Sequence, residues 1–578
     1  MLLSKLDLII LFTYLIAIMI YGLWMSRSKN KNVSDYFLAS KSLPWWIIGG
    51  SLIASNISAE QILGTNGSGY AIGLAIGGYE LMSALTLIIV AKFMLPVFLD
   101  KGIFSIPQFL EERFDNRVRI IFSFILVILY VFVNISSIFY LGGLAISNLT
   151  GIPMLAGILG LVIYSASFSI FGGLKAVVWT DVIQAVVLLI GGLIAAGVAL
   201  AALGEGNVLS GMANLYESIP EHFDMILGKS HPHYASVPGI SVLVGGMWIA
   251  NLYYWGANQF IIQRALAAKN IKEAQKGVAS AALLKLLIPL IAVIPGMAAF
   301  ALQADISTPD EAFPWVLSEL VPIGIKGLVF AALVAAIGSS ISSLVNSVST
   351  ISTLDLYKPI FNKNAKEKHL VKIGKITAAG ALIIGMLTAP FLAILELDQA
   401  FQFIQEFSGF ISPGIFVTII FGLFWKGTSA KPALWVALLC VPLSVALFIF
   451  TELPFFYRMT ISFVILSMLI VILSHFEKTN FNDNITEIKS GLLIAGVMLL
   501  ISIPFSLRIL IGDINLPQWI GIVVLFSNTS ILFYIFKNKK VNPKAIKIDA
   551  QLFRTEPHFN IMSILVITIL GCIYLCLG

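Results

Sequence analysis

Charge is scarce in this chain. Of its 578 residues, 11% are charged and 58% hydrophobic, where soluble domains carry roughly 25% and 45 to 50%. A water-soluble globule is therefore excluded, and the few charges present are informative through their positions. Cysteine is scarcer still: Cys440, Cys572 and Cys576 all lie inside apolar runs without metal-ligand spacing, which leaves neither a disulfide framework nor a zinc site. The six histidines fall in expected loops or at the edge of a run, so an enzyme working inside a membrane would lack ligands and bases there. His231-Pro232-His233 reads as a solvated loop, and Gly64, Gly67, Gly69 and Gly73 follow no strand and lack phosphate-binding spacing. No charged linker is long enough for a soluble catalytic domain. The chain does not read as an enzyme.

What it has instead is apolar runs of about 20 residues, the length at which a helix crosses a bilayer; outer-membrane strands would show about 10 alternating residues. About sixteen are expected, over 7–25, 45–66, 71–98, 118–146, 152–172, 178–203, 239–262, 277–302, 315–352, 373–394, 396–424, 430–451, 454–475, 487–509, 516–536 and 559–577. The fold class is an all-α polytopic membrane protein. Arg27, Lys29 and Lys31 follow the first run at once, which predicts a retained helix rather than a cleaved leader.

Basic residues set the orientation. With the chain starting outside, the outer loops hold Lys5, Lys229, Lys326, Arg458 and Arg508, the runs hold Lys92 and Lys285, and the rest of the 36 Lys and Arg residues fall on the inner side, in linkers such as 99–117, 263–276, 353–372 and 537–558. Both termini are then expected outside a cell inner (plasma) membrane. The net charge of +6 records topology rather than affinity for nucleic acid.

Two runs are interrupted by polar residues and glycines in a comparable way: Ser51 to Gly69 in the second, and Gly245 to Gly256 in the seventh. Paired broken helices at matching places in two halves point to a transporter with its site at the breaks. They lie five runs apart, and because five is odd the two halves would be inverted. The expected organisation is an extra helix in 1–30, a five-helix repeat in 45–203, an outer loop at 204–238, a second five-helix repeat in 239–424, and accessory helices in 430–578, with an added pair at 487–536.

The second run carries Ala54-Ser55-Asn56-Ile57-Ser58-Ala59-Glu60-Gln61, and Glu80 follows. An acidic residue at the centre of a membrane helix costs roughly 2.5 to 3.5 kcal/mol, so such groups are expected to line a solute or ion path. Ser339, Ser342 and Ser343 fall on one face of the ninth run by helical spacing, with Ser340 beside them. A Ser pair alone is ordinary helix packing. Four together, with freed carbonyls at Ala54 and Ile57, suit sodium, a hard cation that takes oxygen ligands. Asp181 is either a helix N-terminal acid or part of that set. Lys285 either snorkels or pairs with Glu80, which lowers the burial cost of both. The amides Gln61, Asn134, Asn251 and Gln405 offer donors and acceptors without charge, as a polyol needs, and Tyr79, Tyr254 and Phe401 would be stacking lids.

Five strings, Asp35-Tyr-Phe-Leu-Ala-Ser-Lys-Ser-Leu-Pro-Trp-Trp46, Ser55-Asn-Ile-Ser-Ala-Glu-Gln61, Gly172-Gly-Leu-Lys-Ala-Val-Val-Trp-Thr-Asp181, Ala250-Asn-Leu-Tyr-Tyr-Trp-Gly256 and Phe401-Gln-Phe-Ile-Gln405, resemble the sodium:solute symporter family, and within it the bacterial sodium/galactose and sodium/glucose cotransporters. The resemblance spans residues 1 to about 475. It implies a five-plus-five inverted-repeat core and places sugar-binding groups at Asn56, Gln61, Glu80, Ser83, Asn134, Asn251, Lys285 and Gln405. It makes Tyr254 the inner aromatic gate, Tyr79 and Phe401 members of the outer gate, and Thr65 the third outer-gate position. One sodium is implied at the carbonyls of Ala54, Ile57 and Ala336 and the hydroxyls of Ser339 and Ser340. A second is implied at Asp181, Ser339, Ser342 and Ser343.

The expected function is import of a monosaccharide, galactose or glucose, by alternating access with two sodium ions per sugar. An inositol or other polyol is the alternative substrate, and a non-translocating sugar sensor the alternative class.

Overall fold

The computed structural model describes every residue except 1–2, 26, 28–31, 59, 238, 393–399, 478–488, 511, 513, 515, 538–540 and 578. The expected boundary between the runs at 373–394 and 396–424, and the start of the run at 487, fall outside the described residues. The described chain is helical throughout, with one isolated parallel bridge between Leu43 and Ala268.

The first element, α1 (Lys5–Met25), docks through its own N-terminus: the Asp7 carboxylate accepts from the backbone N–H groups of Gly324 and Gly327 at 2.7 Å each. The second run is a broken helix. Its first limb, α2 (Trp45–Asn56), ends at Asn56; a π-helical turn over Glu60–Gly64 leads into α3 (Thr65–Ala71), and α4 (Gly78–Ile89) follows. The break frees the last carbonyls of α2 from intrahelical donors.

The runs expected at 152–172 and 178–203 form α5 (Met154–Leu203), two helical limbs that meet at Gly173 and fold back on each other, so that Gln184 Nε2 donates to Tyr164 Oη at 2.9 Å. There φ is +66°, and a Cβ would stand 2.4 Å from the Tyr36 carbonyl oxygen, so only glycine fits the bend. The seventh run is again broken, into α6 (Gly246–Gly256) and α7 (Gln259–Leu266). This corrects the expected inner linker 263–276: its first residues belong to α7, whose eight side chains are all buried, Arg264 included.

Next come α8 (Ile271–Lys285), which bends by 44° into Ile288–Ala301, and α9 (Ile325–Thr350), almost entirely buried. Small residues let α2 and α8 approach closely: a Cβ on Gly277 would sit 2.7 Å from the Trp45 carbonyl oxygen. Beyond, α10 (Ala400–Gly409) and α11 (Ser412–Phe424) are separated by two residues. The C-terminal helices Ala430–Phe450, Phe455–Phe476, Lys489–Leu510, Gln518–Lys537 and Pro557–Leu577 complete the chain.

Among the described residues eleven helices are long and apolar enough to span a membrane, or twelve with the bent pair as one. The expected sixteen exceeds that count at specific places. The two limbs of α5 join at Gly173 without a loop and so count there as one helix, and the segments α2–α3, α6–α7 and α10–α11 are each too interrupted to pass as a single span. These interruptions are where the polar residues gather.

Candidate functional site

A cavity opens beside the α2 break. Asn56, Glu60 and Gln61 come to it from the break, Tyr79, Glu80 and Ser83 from α4, and Asn134 from the π-helical stretch Leu129–Ile135. Asn251 and Tyr254 come from α6 and Gln405 from α10. Seven of the eight expected sugar-binding residues therefore line one space. The eighth, Lys285, sits behind it, fully buried, and donates to the Glu80 carboxylate and to Asn56 Oδ1. Each charge of that pair would be costly to bury alone.

The remaining polar groups of the wall hold each other in place. Asn56 Nδ2 donates to Tyr254 Oη at 3.1 Å, and Ser83 Oγ donates to Asn251 Oδ1 at 2.6 Å. The Tyr254 ring packs edge-on against Trp255 and Phe260, with centroids 5.2 and 5.7 Å away. On another wall Tyr79 meets Phe401 edge-to-face at 5.2 Å. Thr65 and Phe401 do not line the cavity; Thr65 Oγ1 donates to Gln61 Oε1 at 3.3 Å.

A second polar region lies on the far side of α2, against α5 and α9. Ser340 Oγ donates to the carbonyl of Ser55 at 3.1 Å, linking α9 to the end of α2 beside Ala54 and Ile57. Ala336 is buried one turn earlier on α9. Ser339 Oγ donates to Asp181 Oδ1 at 2.6 Å, while Ser51 Oγ and Ser55 Oγ donate to Asp181 Oδ2 at 2.6 and 3.2 Å. Arg264 completes the group: Nη2 reaches Asp181 Oδ2 at 3.3 Å and also donates to Ser343 Oγ, and Nε donates to Ser51 Oγ at 2.8 Å. Of the residues expected at a second sodium, Ser339 and Ser343 join this network, but Ser342 Oγ donates to the Gly338 carbonyl of its own helix at 2.6 Å.

A family model described as the sodium:solute symporter family matches residues 36–440. The sodium/glucose cotransporter of Vibrio parahaemolyticus is 43% identical over 539 residues, covering 87% of this chain and 98% of that protein. The human sodium/myo-inositol cotransporter 2 is 33% identical over 458 residues, covering 74% of this chain and 67% of that protein. The chain belongs to the sodium:solute symporter family. Its fold is that of a substrate-bound, outward-open sodium-coupled sialic acid symporter, with a TM-score of 0.73 at 24% identity over 82% of this chain and 98% of the other. Sodium is the symporter's coupling ion and it is a multi-pass membrane transporter, not an enzyme.

Several groups of the symporter's site are absent from the sequence reading. Ser51 and Ser55 lie one turn apart on α2, both donating to Asp181, a spacing legible in the sequence. Ser408, Gly409 and Ser412 line the cavity after Gln405 at intervals of three, four and seven, again a legible helical face. Tyr253, Asn258 and Met459 also line it. Nothing local marks Arg264, whose role depends on where α7 folds.

Proposed function

We propose that this symporter imports a monosaccharide of the glucose and galactose class, two sodium ions accompanying each sugar. One observation carries the reading. Among the described residues, six polar atoms of the cavity lining are buried without a hydrogen-bond partner: Glu60 Oε1, Tyr79 Oη, Asn134 Oδ1, Asn251 Nδ2, Tyr253 Oη and Ser412 Oγ. Buried polar atoms are normally paired. A ring of unpaired donors and acceptors, framed by aromatic faces, matches a compact solute with hydroxyls all round and no net charge. The similarity to a sodium/glucose cotransporter agrees with this. Similarity to a sodium/myo-inositol cotransporter favours an inositol as the second reading, since it offers the same hydroxyl chemistry.

The binding groups are Asn56, Gln61, Glu80, Ser83, Asn134, Asn251, Lys285 and Gln405, with Tyr254 as inner gate and Tyr79, Phe401 and Thr65 as outer gate. One sodium takes the carbonyls of Ala54, Ile57 and Ala336 and the hydroxyls of Ser339 and Ser340; the second takes Asp181, Ser339, Ser342 and Ser343. Coupling follows from adjacency. Ser55 is held from the ion side and Asn56, the next residue, from the sugar side. Sodium that fixes the end of α2 orients Asn56 for sugar, and the repeats 45–203 and 239–424 then rock around the break. A ligand shifts this equilibrium only through its differential affinity for the two states.

Both termini lie outside a plasma membrane in this reading, with the basic linkers inside. Contacts between ends of the molecule support it. The N–H of Met225 donates to the Leu577 carbonyl at 2.9 Å and Lys229 reaches the Gly512 carbonyl at 3.5 Å, grouping the loop 204–238 with the C-terminus. The linker residues Asn542 and Lys544 instead bond to the Lys426 and Phe114 carbonyls at 2.9 and 2.8 Å.

The deciding experiment is uptake into sodium-loaded-gradient vesicles against unlabelled competitors. Competition by glucose or galactose and not by inositol supports the sugar; competition by inositol alone transfers the assignment to the polyol. Uptake indifferent to sodium and to every sugar overturns the reading.

A further inference from the structure

The cavity holds two carboxylates of opposite status. Glu80 is neutralised by Lys285. Glu60 lines the same wall beside Gln61; among the described residues its Oε1 is buried without a partner, and no charged neighbour offsets its burial. Its backbone is accounted for separately, since Ser58 Oγ accepts from the Glu60 N–H at 3.1 Å. Glu60 opens the second limb of the broken helix, so the amide dipoles of that limb favour a negative charge there. The dipoles supply no hydrogen to the buried oxygen. Among the cavity's unpaired atoms, Glu60 Oε1 is the one belonging to a carboxyl group and so the strongest acceptor on offer.

We propose that Glu60 is a specificity-determining residue whose carboxyl oxygen Oε1 accepts a hydrogen bond from one ring hydroxyl of the transported sugar. The inference rests on the sugar reading above and adds to it a requirement for a hydrogen-bond donor at one carbon. A hydroxyl at that carbon satisfies the buried oxygen. Hydrogen or fluorine at the same place cannot, and strands it.

The test uses the full-length symporter in proteoliposomes with D-galactose and D-glucose as probes. Each monodeoxy and monodeoxyfluoro hexose competes for uptake by the native protein, Glu60→Ala and Glu60→Gln. In the native protein one carbon is expected at which both the deoxy and the fluoro analogue bind weakly. Glu60→Ala is expected to weaken the parent sugar by about threefold to tenfold, the range for one hydrogen bond. It should leave the two analogues altered at that carbon within about twofold of their native affinity. Glu60→Gln, which keeps the shape and one acceptor, should fall between. A uniform loss across all analogues overturns the proposal in favour of a helix-terminal charge, as does no loss for the parent. If Glu60→Ala does not fold, Glu60→Gln and the native panel decide: absence of any carbon requiring a donor overturns it. No competition by any sugar in the native protein sinks the sugar reading itself, an outcome distinct from both.

Discussion

Two polar chambers meet at the end of α2, and they are balanced in opposite ways. Around Asp181 both carboxylate oxygens have donors, three from serines and one from Arg264, whose guanidinium supplies the compensating charge. Around the cavity, Glu80 has Lys285, but six polar atoms have nothing. An unpaired buried polar atom costs on the order of 1 to 3 kcal/mol. The cavity therefore carries a set of penalties that a ligand's hydroxyls remove, and binding there is an addition. The Asp181 chamber carries none. In the two-sodium reading, a second sodium there would take the place of contacts already made, and its binding would be an exchange with Arg264.

The largest expected effect comes from unbalancing the one balanced pair of the cavity. Lys285→Met leaves Glu80 buried without its cation and removes the donor to Asn56 Oδ1, so destabilisation of about 3 to 5 kcal/mol and loss of uptake are expected. Thermal unfolding of the purified protein measures the first and vesicle uptake the second. Adding Glu80→Gln should restore most of the stability but not the uptake. Stability unchanged in Lys285→Met would mean that the pair does not bear on the fold.

Next is the exchange chamber. Asp181→Asn removes the charge that holds Arg264 and, in the two-sodium reading, one of the ions. The charge-to-sugar ratio should fall from two to one. With a membrane potential of about 100 mV, each charge is worth roughly 2.3 kcal/mol, so the attainable sugar gradient should drop about fiftyfold from the electrical contribution alone. Simultaneous current and tracer flux give the ratio directly. A ratio of one in the native symporter would leave Arg264 as the resident cation of this chamber and a single sodium beside Ala54 and Ile57.

The difference between the chambers also explains what was legible in the sequence. The octet at 54–61 announced itself because polar residues are conspicuous in an apolar run, and the breaks in α2 and α6 followed from their glycines and amides. Helical spacing alone put Ser339, Ser342 and Ser343 on one face; Ser339 and Ser343 join the Asp181 network, and the Ser342 hydroxyl turns to the Gly338 carbonyl of its own helix. Glu80 and Lys285 could be paired because few charges were available to pair. Arg264 was not legible. Counting basic residues to find the inner side assigns it to a linker, and nothing within reach of its own sequence says that Gln259–Leu266 turns back as a buried helix. Span counting departs from the structure at the broken segments for the same reason, since length and hydropathy cannot separate one broken span from two short helices; the division of 152–172 from 178–203, which falls at Gly173, was legible.

Ser339→Ala tests the link between ion and sugar at intermediate magnitude. Its hydroxyl donates to Asp181 at 2.6 Å and is assigned to both sodium sites, so apparent sodium affinity should weaken about tenfold. If the chambers are coupled through Ser55 and Asn56, apparent sugar affinity must fall as well when measured at limiting sodium, and recover as sodium saturates. A sugar affinity that ignores the substitution at every sodium concentration would separate the two chambers. Uptake with unchanged sodium dependence would remove Ser339 from the ion sites.

The smallest effect is expected at Tyr254, where ring and hydroxyl have different tasks. The ring closes the cavity on the side of Trp255 and Phe260, while the hydroxyl accepts from Asn56 Nδ2 at 3.1 Å. Tyr254→Phe keeps the first and removes the second. Asn56 remains held by Lys285 through its other atom, so the loss is one neutral hydrogen bond, about 1 kcal/mol, or about fivefold in apparent sugar affinity. Sodium affinity in the absence of sugar should not move, because the lost bond lies wholly on the cavity side of α2. Competition curves and sodium titrations on the same preparation check both. A change in sugar-free sodium affinity would mean that Asn56 transmits to the ion chamber even without sugar, and that the two are one structural unit rather than two balanced separately.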